Sequence, residues 1–89
     1  MAEFRWNEWN EQHIAEHGVT PPEAEYVVNH AHSPWPHRAR DGRYLVWGRT
    51  ENGHYLQVSY VFSPAKVVYV IHARPLNEDE KRKYGRRRR

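Results

Sequence analysis

The feature that most constrains this chain is a run of three strand-like stretches, residues 44–50, 55–62 and 67–74, separated by only two short breaks. Each stretch is rich in Val, Ile, Tyr, Phe or Trp, the residues that fit a pleated, half-buried surface. Between the first two lies Asn52-Gly53, the favoured hairpin dipeptide, because both of its central positions must accept positive φ. Ser63-Pro64-Ala65-Lys66 makes a second tight turn. Strands joined this closely can only run antiparallel, so a three-strand meander is predicted. With two-residue loops, Glu51 faces His54 and Ser63 faces Lys66, and side-chain alternation then sorts the residues onto two faces. One face takes Leu45, Trp47, Leu56, Val58, Tyr60, Phe62, Val67, Tyr69, Ile71 and Ala73 as the core, with Arg49 at its end. The other takes Tyr44, Val46, Gly48, Tyr55, Gln57, Ser59, Val61, Val68, Val70, His72 and Arg74, which sets His72 and Arg74 across from Gln57 and Tyr55. A bulge or a longer first turn would carry Arg49 to this second face.

An apolar sheet face needs a cover, and the first third of the chain supplies one. Phe4-Arg5-Trp6 alternates like a short strand, and residues 8–17 follow as a helix with Asn7 or Asn10 as N-cap and Gly18 as its stop. Thr20-Pro21-Pro22-Glu23 is a capping box with Pro in the first turn. Ala24, Val27, Val28 and Ala31 then recur at helical spacing until Pro34 forbids continuation. Residues 29–42 read as loop. At the other end, Leu76 and Asn77 introduce the acidic first turn Glu78-Asp79-Glu80 and a basic continuation, which predicts a short C-terminal helix. The expected architecture is α+β. A short N-terminal strand joins the meander in a twisted antiparallel sheet, and two helices pack on one face. Residues 1–85 form a single domain, followed by a basic tail at 86–89.

Composition sets bounds on this picture. A chain of 89 residues has surface enough for one small core and no more. Mean hydropathy is −1.07, yet four Trp and six Tyr are too many for a disordered chain, so a few large side chains must carry the core. The absence of cysteine excludes a disulfide framework and a thiolate nucleophile. No apolar run is long enough to span a membrane and no secretory leader is visible, which predicts a cytoplasmic protein with no membrane partner. Charge is polarised: residues 1–37 carry a net −5, while 38–74 and 75–89 carry +4 each. A basic half rich in Tyr and Trp suits a polyanion, because cations neutralise phosphates while aromatic faces stack on unpaired bases.

The chemistry-bearing groups fall near the end of the last strand. His72-Ala73-Arg74 places an imidazole and a fixed cation on one face, two residues apart. Cleavage of a phosphodiester by the neighbouring 2′-hydroxyl needs a base, an acid and cations, and no metal. Arg49, in Gly48-Arg49-Thr50, is a further cation, and Tyr84 either reaches this site or anchors the last helix. His13 and His17 stand one helical turn apart, and His30, His32 and His37 add imidazoles, but without Cys or an H-E-x-x-H pattern they do not make a metal motif. No cofactor is expected.

The order of these pieces resembles the BrnT-type toxins, RelE-like ribonucleases of type II toxin–antitoxin systems. The resemblance rests on Phe4-Arg5-Trp6-Asn7, Glu16-His17-Gly18-Val19, Pro22-Glu23-Ala24, Arg43-Tyr44-Leu45, Gly48-Arg49-Thr50, and Ile71-His72-Ala73-Arg74-Pro75 followed by Glu80-Lys81-Arg82-Lys83-Tyr84. Two positions depart from the family pattern: Glu16 stands where Lys is frequent, and His72 where Ser is. The resemblance implies a RelE-like fold, metal-independent cleavage of messenger RNA that inhibits translation, and a DNA-binding antitoxin encoded by an adjacent gene. The implied assembly is a dimer or a toxin–antitoxin hetero-oligomer. On this reading His72 is acid or base, Arg74 and Arg49 hold the scissile phosphate, and His17 and Tyr84 are further proton-transfer groups. Tyr55, Gln57, Lys81, Arg82, Lys83, Arg86 and Arg87 contact the RNA. The same basic aromatic sheet also suits a module that holds RNA or a protein without chemistry.

Overall fold

The computed structural model describes residues 1–87, in the order β1 (Phe4–Arg5), α1 (Glu8–Ala15), α2 (Pro21–Asn29), β2 (His37–Arg38), β3 (Tyr44–Arg49), β4 (Tyr55–Phe62), β5 (Val68–Pro75) and α3 (Glu78–Arg87). The architecture is α+β, and the five strands form one mixed sheet in the order β1-β5-β4-β3-β2. The three-strand meander is its centre. Two features differ from expectation. β1 pairs parallel to β5, through Phe4 with Val68 and Arg5 with Tyr69. A fifth strand, His37–Arg38, lies in the stretch expected to be loop and pairs with Leu45 and Tyr44 on the outer edge of β3. That pairing satisfies backbone groups an exposed edge would leave open.

Both hairpin loops are one residue longer than the turn dipeptides suggest. In the first, Thr50 N–H donates to His54 O at 2.8 Å, and Thr50 Oγ1 accepts from His54 N–H at 2.8 Å. The loop is therefore Glu51-Asn52-Gly53, closed by Gly53 at φ +91° in the three-residue geometry that ends in a left-handed residue. In the second, Ser63 N–H donates to Val67 O, and Lys66 takes the left-handed position at φ 64°. One extra residue flips every side chain that follows it. On β3 the inward residues are therefore Val46 and Gly48, opposite Val58 and Leu56, and not the Leu45 and Trp47 expected there. At the start of β5 Val68 and Val70 turn inward, displacing the expected Val67, Tyr69 and Ile71. A register shift then leaves Ile71 without an opposite number on β4: Tyr60 pairs with Val70 and Ser59 with His72. This bulge reverses the flip, so Ala73 returns to the core and His72 and Arg74 to the opposite face. The two deviations cancel in orientation but not in register. His72 and Arg74 lie across from Ser59 and Gln57, two positions from the partners expected.

The main core joins the inward sheet face to Ile14, Val19, Ala24 and Val27. α2 packs on β3 and β4, with Thr20 and Glu23 making the expected capping box. It comes so close that a Cβ on Gly48 would stand 2.9 Å from Val27 Cγ1. Gly48→Val is therefore expected to cost about 1–3 kcal/mol by overpacking, read as a lower urea midpoint at unchanged m-value. α1 lies along β5, where β1 ends after two residues. It is fastened by Asn10, which is fully buried. The Asn10 amide donates to Arg5 O at 3.2 Å and Val70 O at 3.0 Å, and its oxygen accepts from Asn7 N–H at 2.8 Å. Asn7 is the N-cap and Asn10 completes the reciprocal box.

The second sheet face is not open throughout. Trp35, from the segment between α2 and β2, stacks on Trp47 at 5.8 Å and meets Tyr84 of α3 at 5.1 Å; Tyr84 meets Tyr55 edge-on at 5.9 Å. Trp35 and Tyr84 are as buried as the main core. Trp35, Trp47, Tyr55 and Tyr84, four of the chain's twelve aromatic residues, thus pack together under α3. The helix runs through Arg87 and takes in Arg86 and Arg87, which were expected to lie in a tail; Arg88 and Arg89 lie outside the described residues. No helix among the described residues is long and apolar enough to cross a membrane.

Candidate functional site

What remains exposed on the second face is its β5 edge, where α1 brings a helical stripe against the strand. Trp9, His13 and His17 stand at i, i+4 and i+8 and share one side of α1 and its final turn. Because Asn10 pins that helix to the Val70 carbonyl, the stripe meets His72. The His17 and His72 rings lie 5.0 Å apart at 65°, and His13 lies 6.2 Å from His72 at 67°. Burial holds the His72 imidazole below its ordinary 6.5, with His17, His13 and Arg74 adding like-charge opposition. Among the described residues, no three His, Cys, Asp or Glu are placed to hold a metal ion.

Beside His72 a hollow of about 380 Å³ opens over the sheet, lined by Ala39, Arg43, Tyr44, Leu45, Gln57, Ser59 and His72. Its floor offers the Ser59 hydroxyl and the Gln57 amide, and its rim offers Arg43, whose side chain is half exposed and paired with Asp41 at 2.8 Å. The lining of the hollow therefore holds the His72 imidazole and the Arg43 cation, and His17 meets His72 from the end of α1.

The remaining sequence candidates are deployed elsewhere. Arg49 does reach the second face, as the longer first turn requires, but it pairs with Tyr55 while His72 pairs with Ser59. Four residues along β4 and two strand spacings across put the two Cα atoms on the order of 16 Å apart, so Arg49 and His72 cannot hold one phosphate. The Arg49 guanidinium lies 5.8 Å from the Tyr55 ring centre, and Lys81 Nζ lies 5.7 Å from it. Tyr84 is 3% exposed and anchors α3, the second of the two roles the sequence allowed. Tyr55 and Gln57 are likewise engaged: Gln57 Oε1 accepts from Trp47 Nε1 at 2.9 Å and from Arg74 Nη2 at 3.2 Å. Lys81 pairs with Glu78, and Arg82 and Lys83 pair with Asp79, all at exposed positions where such pairs exchange readily with solvent. Sequence reasoning missed Arg43, Ser59 and the part played by His13. The signal for His13 was its spacing with Trp9 and His17, which shows a stripe without showing what it faces.

Arg74 is held by Glu80, whose two oxygens take Nη1 and Nη2 at 2.8 and 2.7 Å. Glu80 also accepts from Asn77 N–H at 2.9 Å, so one carboxylate caps α3 and binds it to the sheet. These bonds, the Arg74 pair foremost, hold the Glu80 carboxyl down at about 2. A carboxyl depressed in the folded state contributes stability above its unfolded value and loses it as pH falls. His72 behaves alike, since folding favours its neutral form. Stability is thus expected to fall in two acid windows, below 6.5 for His72 and from 4.5 towards 2 for Glu80. Urea midpoints measured against pH should show both, with His72→Ala removing the first and Glu80→Gln the second.

No family model, curated protein or solved structure matches this chain.

Proposed function

We propose that the chain is a RelE-like, metal-independent ribonuclease of the toxin type, acting in the cytoplasm on messenger RNA and paired with a DNA-binding antitoxin. The observation that carries this reading is the contact of His17 with His72, whose ring lines the same hollow as Arg43. Two imidazoles can divide the acid and base roles of transesterification. One takes the proton of the 2′-hydroxyl, and O2′ attacks phosphorus. The other protonates the departing 5′-oxygen, leaving a 2′,3′-cyclic phosphate and a 5′-hydroxyl. His72, kept neutral by its surroundings, is suited to the base role. Arg43, in the lining of the hollow, opposes the negative charge gathering on the phosphorane.

The test is incubation of RNA, free and on translating ribosomes, with purified protein in the presence of a chelator. The expected products end in 2′,3′-cyclic phosphate. RNA left intact in both settings, with growth equally unaffected by induced wild type and His72→Ala, overturns the reading.

A second reading has one observation in its favour. Because Glu80 already neutralises Arg74, the strand end presents less free cation than the sequence promised, which suits a module that holds RNA or a protein without cutting. Binding that weakens steeply with salt and yields no products would select it.

A further inference from the structure

We infer that the exposed indole of Trp9 is a stacking platform for one unpaired nucleobase of the strand that passes His72, an inference that takes its substrate class from the ribonuclease reading. Trp9 is 55% exposed, the largest open aromatic surface among the described residues, and contributes nothing to the core. Its ring is nonetheless held in place. It stacks on His13 at 4.7 Å and 11°, and lies nearly parallel to Tyr69 at 6.4 Å and 17°. Tyr69 in turn has its hydroxyl hydrogen-bonded to the Asn7 cap at 3.2 Å and the Arg5 guanidinium 5.7 Å from its ring centre. His13 connects the indole to His72. A continuous series of planar groups therefore runs from Arg5 through Tyr69, Trp9 and His13 to the His72 and His17 pair.

Three physical points favour a base over other uses of this surface. An indole already fixed by its neighbours loses little rotamer freedom when a ring lands on it, so stacking there is not offset by ordering. Every base has a π-face, and stacking on aromatic residues next to cations is how single strands are held without sequence reading. Helical geometry also keeps most of the acidic charge of α1 away: Glu8 and Glu11 project from other sides of the helix, and Glu16 alone borders the Trp9 stripe. Phe62, the other exposed ring, packs edge-on against Tyr44 and Tyr60 and leads to no titratable cluster.

The experiment uses the full chain and a fluorescein-labelled single-stranded RNA, 2′-O-methylated so that it cannot be cut, followed by anisotropy. Trp9→Ala is expected to weaken binding on the order of ten-fold, with Trp9→Tyr retaining most of it. Moving an abasic residue along the oligonucleotide should find one position that costs the wild type a similar factor and costs Trp9→Ala nothing. Thermal melting of Trp9→Ala should match the wild type, because the indole is outside the core. Equal affinity of Trp9→Ala and wild type overturns the inference, as does an RNA affinity indifferent to Trp9 alongside a Trp9-dependent dimer in sedimentation. The readings separate cleanly: cleavage of unmodified RNA that ignores Trp9 sinks the platform and spares the nuclease. Trp9-dependent binding without products does the reverse, and no RNA binding at all sinks both.

Discussion

His72→Ala is expected to lower single-turnover cleavage of RNA by about 10²–10⁴-fold while leaving RNA affinity within about two-fold, because in the proposed mechanism the ring supplies proton transfer and not binding energy. His17→Ala should fall in the same range, and the double variant should lose little more than either single one, since acid and base act on one event. The pH profile distinguishes this role from a structural one. Burial and neighbouring charge place the His72 imidazole below 6.5, so the acid limb of kcat/KM should lie below that value. Removing a neighbouring charge with His13→Ala should move the limb upward. An acid limb at or above 6.5 would show that His72 is not the base.

The largest effect on stability is expected from Asn10→Ala, at about 2–4 kcal/mol. The side chain is fully buried, and its loss strips the Arg5 and Val70 carbonyls of their amide donor and Asn7 N–H of its acceptor. For a domain of this size that is a fall in melting temperature on the order of 10–25 °C. Asn7→Ala, which removes an N-cap nearer the surface, should cost about 1 kcal/mol. The comparison matters for function as well as folding. Asn10 is what holds the stripe of α1 against β5, so a variant still folded at low temperature should show a weakened His17 and His72 contact, visible as a His72 titration shifted back towards its ordinary value by NMR. Equal destabilisation by Asn7→Ala and Asn10→Ala would mean that capping alone, and not the tie to β5, secures this helix.

Several elements were legible because their causes are local. The Thr20 to Glu23 box, the Asn77 cap and the strand stretches each follow from side chains a few residues apart. The boundaries 55–62 were read correctly, and α2 starts where Pro and the capping box place it. β2 was not legible, because two residues flanked by Pro36 and Gly42 form a strand only when an edge is already waiting beside them. The site was legible in part. His72 and Arg74 were assigned to the correct face, but through two misreadings that offset each other, the length of the second loop and the bulge at Ile71. Arg49 and Tyr84 look like site residues in a linear reading because Gly48-Arg49-Thr50 and Lys81-Arg82-Lys83-Tyr84 match pieces of the family pattern, which says nothing of where they lie. In the fold they belong to the α3 end of the sheet, one stacked on Tyr55 and one buried against Trp35.

The chain's own order of residues determined a meander preceded by capped helices, a core that leans on a few large aromatic side chains, and a basic second half, since each of these depends on residue type and short-range spacing. Which imidazoles meet, which arginine is neutralised and which sheet face stays open were decided by the tertiary structure alone. Those outcomes turn on one-residue differences in loop length and on a single buried amide bridging segments sixty residues apart. A pleated strand converts each such difference into a complete exchange of faces.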